Sequence, residues 1–181
     1  MTMNSVVFSS GNQSYQVSQI AYVGPVWEIP PEKKKTDATH SFRIVTRSGG
    51  SYCYYKSFET ARNARGALAA MLRSVKPGVF SHANQLVDPE QIISYSKVFP
   101  LKENDQGHTH AFVAIIDTIP ERNRRVWFRF RSEEAAQHTR NALFGRIHGI
   151  NNGNGKAVET EAPGSVEEAA VAQKEPAETP F

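Results

Sequence analysis

Apolar and polar positions alternate with a period of two through His40–Arg47 and again through Ser51–Lys56. From Ser57 to about Val75 the spacing becomes helical. In the first of these strands Phe42 and Ile44 share a face, and Ser41, Arg43, Val45 and Arg47 share the other. In the second, Cys53 and Tyr55 alternate with Tyr52, Tyr54 and Lys56. Ser48-Gly49-Gly50 between them predicts a hairpin turn. Upstream, the apolar stretch Tyr15–Ile29 is broken at Gly24-Pro25, which predicts a bend or bulge. Pro30-Pro31-Glu32-Lys33-Lys34-Lys35 reads as an exposed turn. Ser57 is placed to cap the helix, and Pro77-Gly78 stops it.

The same order then recurs. Gln91–Leu101 is strand material, Lys102–Gly107 a loop, Thr109–Asp117 an apolar strand, Thr118–Asn123 a turn and Arg124–Arg131 a return strand. Ser132, followed by Glu133 and Glu134, starts a second helix that ends near 147–149. The two stretches align residue by residue. Gln19-Ile20…Val26 matches Gln91-Ile92…Val98, Thr39-His40-x-Phe42 matches Thr109-His110-x-Phe112, and Ala61…Leu68 matches Ala136…Leu143. The offset is 72 at the first match, 70 at the second and 75 from the return strand onward, drifting at loops where length changes are tolerated. One such unit has a single apolar face that it cannot bury alone, so two copies packed together are expected. The fold class is therefore α+β: a tandem βββα repeat, with antiparallel sheets each backed by one helix. The boundaries expected are a flexible N-terminus at 1–13, a first unit at 14–78, a linker at 79–89, a second unit at 90–150 and a disordered acidic tail at 151–181.

Charge sharpens this picture. Through Ile150 the chain carries nineteen Lys and Arg against twelve Asp and Glu, whereas 151–181 carries two against six. A basic body with an acidic tail points toward nucleic acid. Cys53 is the one cysteine, so no internal disulfide forms, and its aromatic strand predicts a buried, inert thiol. No apolar run reaches the ~20 residues of a membrane span, and Met1 is followed by no leader-like segment, so a cytoplasmic location is expected. His108-x-His110 and His40 lack the Cys or carboxylate partners that would complete a metal site. With no phosphate-binding glycine loop and no nucleophile elbow, neither an enzyme nor a cofactor is expected.

The candidate chemistry lies on the outward rows. Arg125, Trp127, Arg129 and Arg131 project together from the second return strand, opposite Val126, Phe128 and Phe130. Cations flanking an indole form a stacking platform in a positive groove, the arrangement that single-stranded nucleic acid requires. The equivalent row in the first unit is Tyr52, Tyr54 and Lys56, with Arg43 and Arg47 from the neighbouring strand. Lys33, Lys34 and Lys35 add a phosphate contact. The plain alternative is a cross-strand ladder that stabilises an exposed sheet. Ala111, Val113 and Ile115 fall on the same outward face and are apolar, which predicts cover by another sheet or a homodimer seam.

Two resemblances follow from these residues. The last residues, with Glu175, Glu178, Pro180 and Phe181, resemble the tip of bacterial single-stranded-DNA-binding proteins, here without a run of aspartates. That resemblance implies that the tail docks replication and repair proteins through its terminal Phe. Residues 14–150 are similar in layout to the Whirly, positive-cofactor and Pur group of sheet-plus-helix nucleic-acid binders. The expected function is sequence-tolerant binding of single-stranded DNA, or RNA, in replication, recombination or repair, at a nucleoid or a viral replication site. The rival expectation is an interaction module resembling pleckstrin-homology domains, with no nucleic-acid binding.

Overall fold

The computed structural model describes residues 6–34, 36–105, 107–119 and 124–149, apart from the side chains of 103–105. A hairpin of β1 (Val7–Ser10) and β2 (Gln13–Gln16) comes first. The first unit follows as β3 (Ile20–Val23), β4 (Trp27–Glu28), β5 (His40–Thr46), β6 (Gly49–Tyr55) and α1 (Phe58–Val75). A second hairpin, β7 (Phe80–His82) and β8 (Gln85–Val87), leads into the second unit. That unit is β9 (Ile92–Tyr95), β10 (Phe99–Asp105), β11 (His108–Ile116), β12 (Arg125–Phe130) and α2 (Glu133–Ile147). All strand pairings are antiparallel, and the two helices pack against the sheets. No helix among the described residues is long and apolar enough to cross a membrane.

Both units are built by the same local rules. Ser57 and Ser132 each accept a hydrogen bond from the amide three residues on, Thr60 and Ala135, at 3.2 Å. One long strand is broken in two in each unit. β5 pairs with β4 and then β3 along one edge and with β6 along the other. β11 likewise pairs with β10 and then β9, and with β12 opposite. At the break the Gly24 amide donates to the Arg43 carbonyl at 2.8 Å, and the Ser96 amide donates to Val113 at 2.9 Å. A helix arginine then closes each break: Arg65 Nε–H donates to the Gly24 carbonyl at 2.7 Å, and Arg140 Nε–H to Ser96 at 2.9 Å. A uniformly solvated basic face over Arg62, Arg65 and Arg73 is the default reading of the sequence. Arg65 departs from it, because its guanidinium satisfies a carbonyl that the bulge leaves without a strand partner.

Two cores result. Phe42, Ile44, Ile20, Val23, Cys53, Leu68 and Leu72 lie between the first sheet and α1, joined by Phe8 from β1. Phe112, Ala114, Ile116, Val126, Phe128 and Phe130 lie between the second sheet and α2, which contributes Ala136 and Leu143. The second core also takes in Ala21, Tyr22, Val45, Phe80 and Val87 from the first sheet. That sheet therefore has α1 on one face and the second unit over part of the other. The junction is hydrogen-bonded as well as apolar. Thr118 Oγ1–H donates to the Thr46 carbonyl at 2.6 Å, and the Ile119 amide to the Arg47 carbonyl at 3.0 Å.

Several expectations are corrected here. Residues 7–13 belong to a hairpin whose Phe8 is buried against Phe42, not to a loose N-terminus. Residues 79–89 are not a linker, because β8 pairs with β3 and extends the first sheet to six strands. The β7–β8 turn is made by Ala83 and Asn84, both at positive φ, the backbone that a two-residue hairpin turn demands. The segment 102–105, expected as loop, continues β10. The β5–β6 turn falls on Arg47-Ser48, one residue earlier than Ser48-Gly49-Gly50. The tail beyond 149 lies outside the described residues.

His82, on β7, sits 4.7 Å from the Phe130 ring and 6.1 Å from Phe128. Burial holds its imidazole below the usual histidine range. The unfolded chain takes up its proton near pH 6.5 and the folded one only below that. Stability contributed by the neutral ring is thus complete above about pH 7 and falls as pH drops through 6.5. We expect urea midpoints measured at neutral and mildly acidic pH to separate more for the parent protein than for His82→Phe.

Candidate nucleic-acid interface

The surface away from α1 is assembled by register. Ser41 on β5 is opposite Trp27 on one side and Tyr54 on the other, and Arg43 is opposite Tyr52. Trp27 and Tyr52 meet edge to face, with ring centroids 5.9 Å apart and planes at 73°. Tyr54 continues the row at 6.3 Å from Tyr52, with more than half of its surface in solvent. Beneath these rings Ser41 is fully buried, and its hydroxyl has no hydrogen-bond partner.

The second sheet repeats the arrangement on its own outward face. Phe99 is opposite Ala111, and Trp127 is opposite Val113. Phe99 and Trp127 also meet edge to face, at 5.8 Å and 80°. The Arg129 guanidinium lies over the Trp127 indole, 5.5 Å from its centroid, a cation–π contact. By the repeat offsets Trp27 corresponds to Phe99 and Tyr52 to Trp127, so one aromatic pair has been kept in geometry in both units.

Tyr22 marks where the two faces adjoin. It is buried, and burial pushes its phenol up to about 12, while Arg43, Arg65 and Arg129 pull the other way. Arg43 belongs to the first face and Arg129 to the second, so cations of both act on one buried ring. Gln85 adds a second link, since its side-chain amide donates to the Trp127 carbonyl at 3.2 Å while its buried oxygen has no partner.

Measured against the sequence, the structure brings Arg43, Tyr52 and Tyr54 together, and Arg125, Trp127 and Arg129 share the outward row of β12. Arg131 lies one residue past β12 and is exposed. Lys33 and Lys34 are exposed at the one-turn helix Pro31–Lys33, and Lys35 is outside the described residues. Lys56 is exposed, but its ammonium is 2.5 Å from the Asp37 carboxylate. Arg47 leaves the row. Its position in the turn aims Nε–H at Gln91 Oε1, 2.8 Å away, and sets the guanidinium 3.8 Å from Asp117, so it clamps the two units together. Val45 is buried under the second unit instead of lying outward. Ala111 is fully buried, while Val113 and Ile115 are half-buried. Glu175, Glu178, Pro180 and Phe181 fall outside the described residues. The residues missed were Trp27 and Phe99. Extending the match Gln19-Ile20…Val26 to Gln91-Ile92…Val98 by one position would have found both.

The histidines are positioned by their neighbours. His40 and His110 each have Nδ1 2.9 Å from the preceding threonine hydroxyl, and His110 lies 3.8 Å from Glu133. Among the described residues no three His, Cys, Asp or Glu side chains cluster as metal ligands would. Burial raises the Cys53 thiol pKa, which leaves it a poor nucleophile. No protein-family model matches the chain, nor does any curated protein or solved structure.

Proposed function

We propose that this protein binds single-stranded nucleic acid, DNA by preference, through the two outward sheet faces and without catalysis. The observation that carries the reading is the repeated edge-to-face pair, Trp27–Tyr52 and Phe99–Trp127, with Arg43 beside one and Arg129 over the other. An edge-to-face pair fixes one ring upright against the other, which holds a half-buried aromatic surface in place before a base arrives. Stacking accepts any base, so such a surface is sequence-tolerant, and neighbouring guanidinium groups serve the phosphates. The acidic tail ending in Pro180-Phe181 would recruit replication or repair proteins to the coated strand.

Fluorescence polarisation with a labelled single-stranded ~30-mer, titrated over salt, tests this reading. If Lys33, Lys34, Arg43, Arg125, Arg129 and Arg131 each neutralise one phosphate, log K falls against log salt with a slope of about −4. Binding should also quench tryptophan fluorescence and survive duplex competitor. Absence of binding at low salt would overturn the proposal.

A further inference from the structure

The two units differ at one edge. In the first, the free side of β3 is filled by β8: Val23 is opposite Leu86, Tyr22 is opposite Val87, and the Asp88 amide donates to the Ala21 carbonyl at 2.9 Å. In the second, among the described residues, β9 pairs only with β11. Ser94 and Ser96 face β11, opposite Ile115 and Val113, so the amide of Tyr95 between them points to the open side, while Ile93 is the extra residue of a bulge.

The side chains at this edge have the chemistry of a covered surface. Ala21 is 0% exposed, whereas its repeat counterpart Ile93 is 58% exposed. Ala69 on α1 is 5% exposed, whereas its counterpart Phe144 on α2 is 37% exposed and packs edge to face on Tyr95 at 5.9 Å. Large apolar groups thus stand in the open where the covered copy has alanines. β9 itself carries no charge and no proline, two of the devices that keep an edge strand single, and its one irregularity is the bulge at Ile93.

The chain's own continuation does not have the make-up of the missing strand. At the same offset of 75, Phe80-Ser81-His82 and Gln85-Leu86-Val87 become Gly155-Lys156-Ala157 and Thr160-Glu161-Ala162, with nothing large and apolar. β9 does have it. Gln91-Ile92-Ile93-Ser94 has the make-up of Gln85-Leu86-Val87-Asp88, the segment that fills the equivalent edge. We infer that β9 pairs antiparallel with β9 of a second copy of this chain, joining the two four-stranded sheets across a two-fold axis near Ile93. Such an interface is self-complementary and closes after two copies. It also brings the exposed Glu90 of each copy toward the exposed Lys97 of the other, opposite charges at both ends of the seam.

Light scattering on the full chain without nucleic acid, from micromolar to submillimolar protein, tests this inference. The parent protein should show the mass of two chains and Ile93→Lys the mass of one, with unchanged circular dichroism. Hydrogen exchange on the parent protein gives an independent reading. The Tyr95 amide should be protected in concentrated protein and lose that protection on dilution. A one-chain mass at every concentration, a two-chain mass that survives Ile93→Lys, or exchange at the Tyr95 amide that ignores dilution would each overturn the proposal.

Discussion

Trp127→Ala is expected to weaken binding of a single-stranded oligonucleotide by about five- to 150-fold, the range set by ~1–3 kcal/mol for one lost stacking ring. The substitution removes more than a surface. Trp127 is the ring against which Phe99 stands at 5.8 Å and over which Arg129 lies at 5.5 Å, so both lose their positioning together. The fold should survive, because the core residues of β12 are Val126, Phe128 and Phe130, on the opposite face. Trp127→Phe should retain most of the affinity and Trp27→Ala should show a comparable loss, measured by the same polarisation titration. Unchanged affinity in both alanine variants, with native circular dichroism, would refute the stacking surface.

Asp88→Ala is expected to cost about 3 kcal/mol of stability, the scale for removing one partner of a buried ion pair. For a domain of this size the melting midpoint should fall by roughly 6–12 °C. Asp88 sits where β8 passes into the second unit. One carboxylate oxygen is 2.5 Å from the Lys76 ammonium, and the other accepts from the Glu90 amide at 3.1 Å. Lys76 also donates to the Ile20 carbonyl at 3.1 Å, so the ion pair ties the end of α1 to β3 and to the start of the second unit. Its ammonium is one-fifth exposed and the carboxylate almost fully buried, so the lysine left behind would keep only partial access to water. Replacing both partners, as in Lys76→Met with Asp88→Ala, should restore part of the loss in thermal melts. A double variant no more stable than the single one would show that the capping bond of Asp88, and not its charge, carries the effect.

Much of this fold could be read from the chain because its signals are local. Ser57 and Ser132 precede helical runs, Gly24-Pro25 interrupts an apolar strand, and the faces of β12 follow from strict alternation. What escaped notice depends on contacts distant in sequence or on strands too short to show a period. β7 and β8 have three residues each, and their turn is Ala83-Asn84 without the glycine that usually marks such a hairpin. Trp27 lies on a two-residue strand beyond a bulge, where the alternation of faces restarts. Val45 and Arg47 alternate as outward residues should, yet the second unit covers one and binds the other. Arg65 and Arg140 sit at surface-like helix positions, and the carbonyls of Gly24 and Ser96 that they bind lie distant in sequence.

The sharing of Ala21, Tyr22, Val45, Phe80 and Val87 with the second core has a consequence during synthesis. Once residue 88 has left the ribosome, the first sheet holds all six of its strands, and its α1 face can close at once. The opposite face stays wet until β12 and α2 emerge, an interval on the order of seconds at ordinary elongation rates. Throughout that interval the nascent chain displays an apolar sheet with Phe80 at its rim, the kind of surface that chaperones hold and that neighbouring chains on a polysome aggregate through. Slow codons between residues 90 and 143 would lengthen that exposure, whereas the same codons placed after α2 would leave it unchanged.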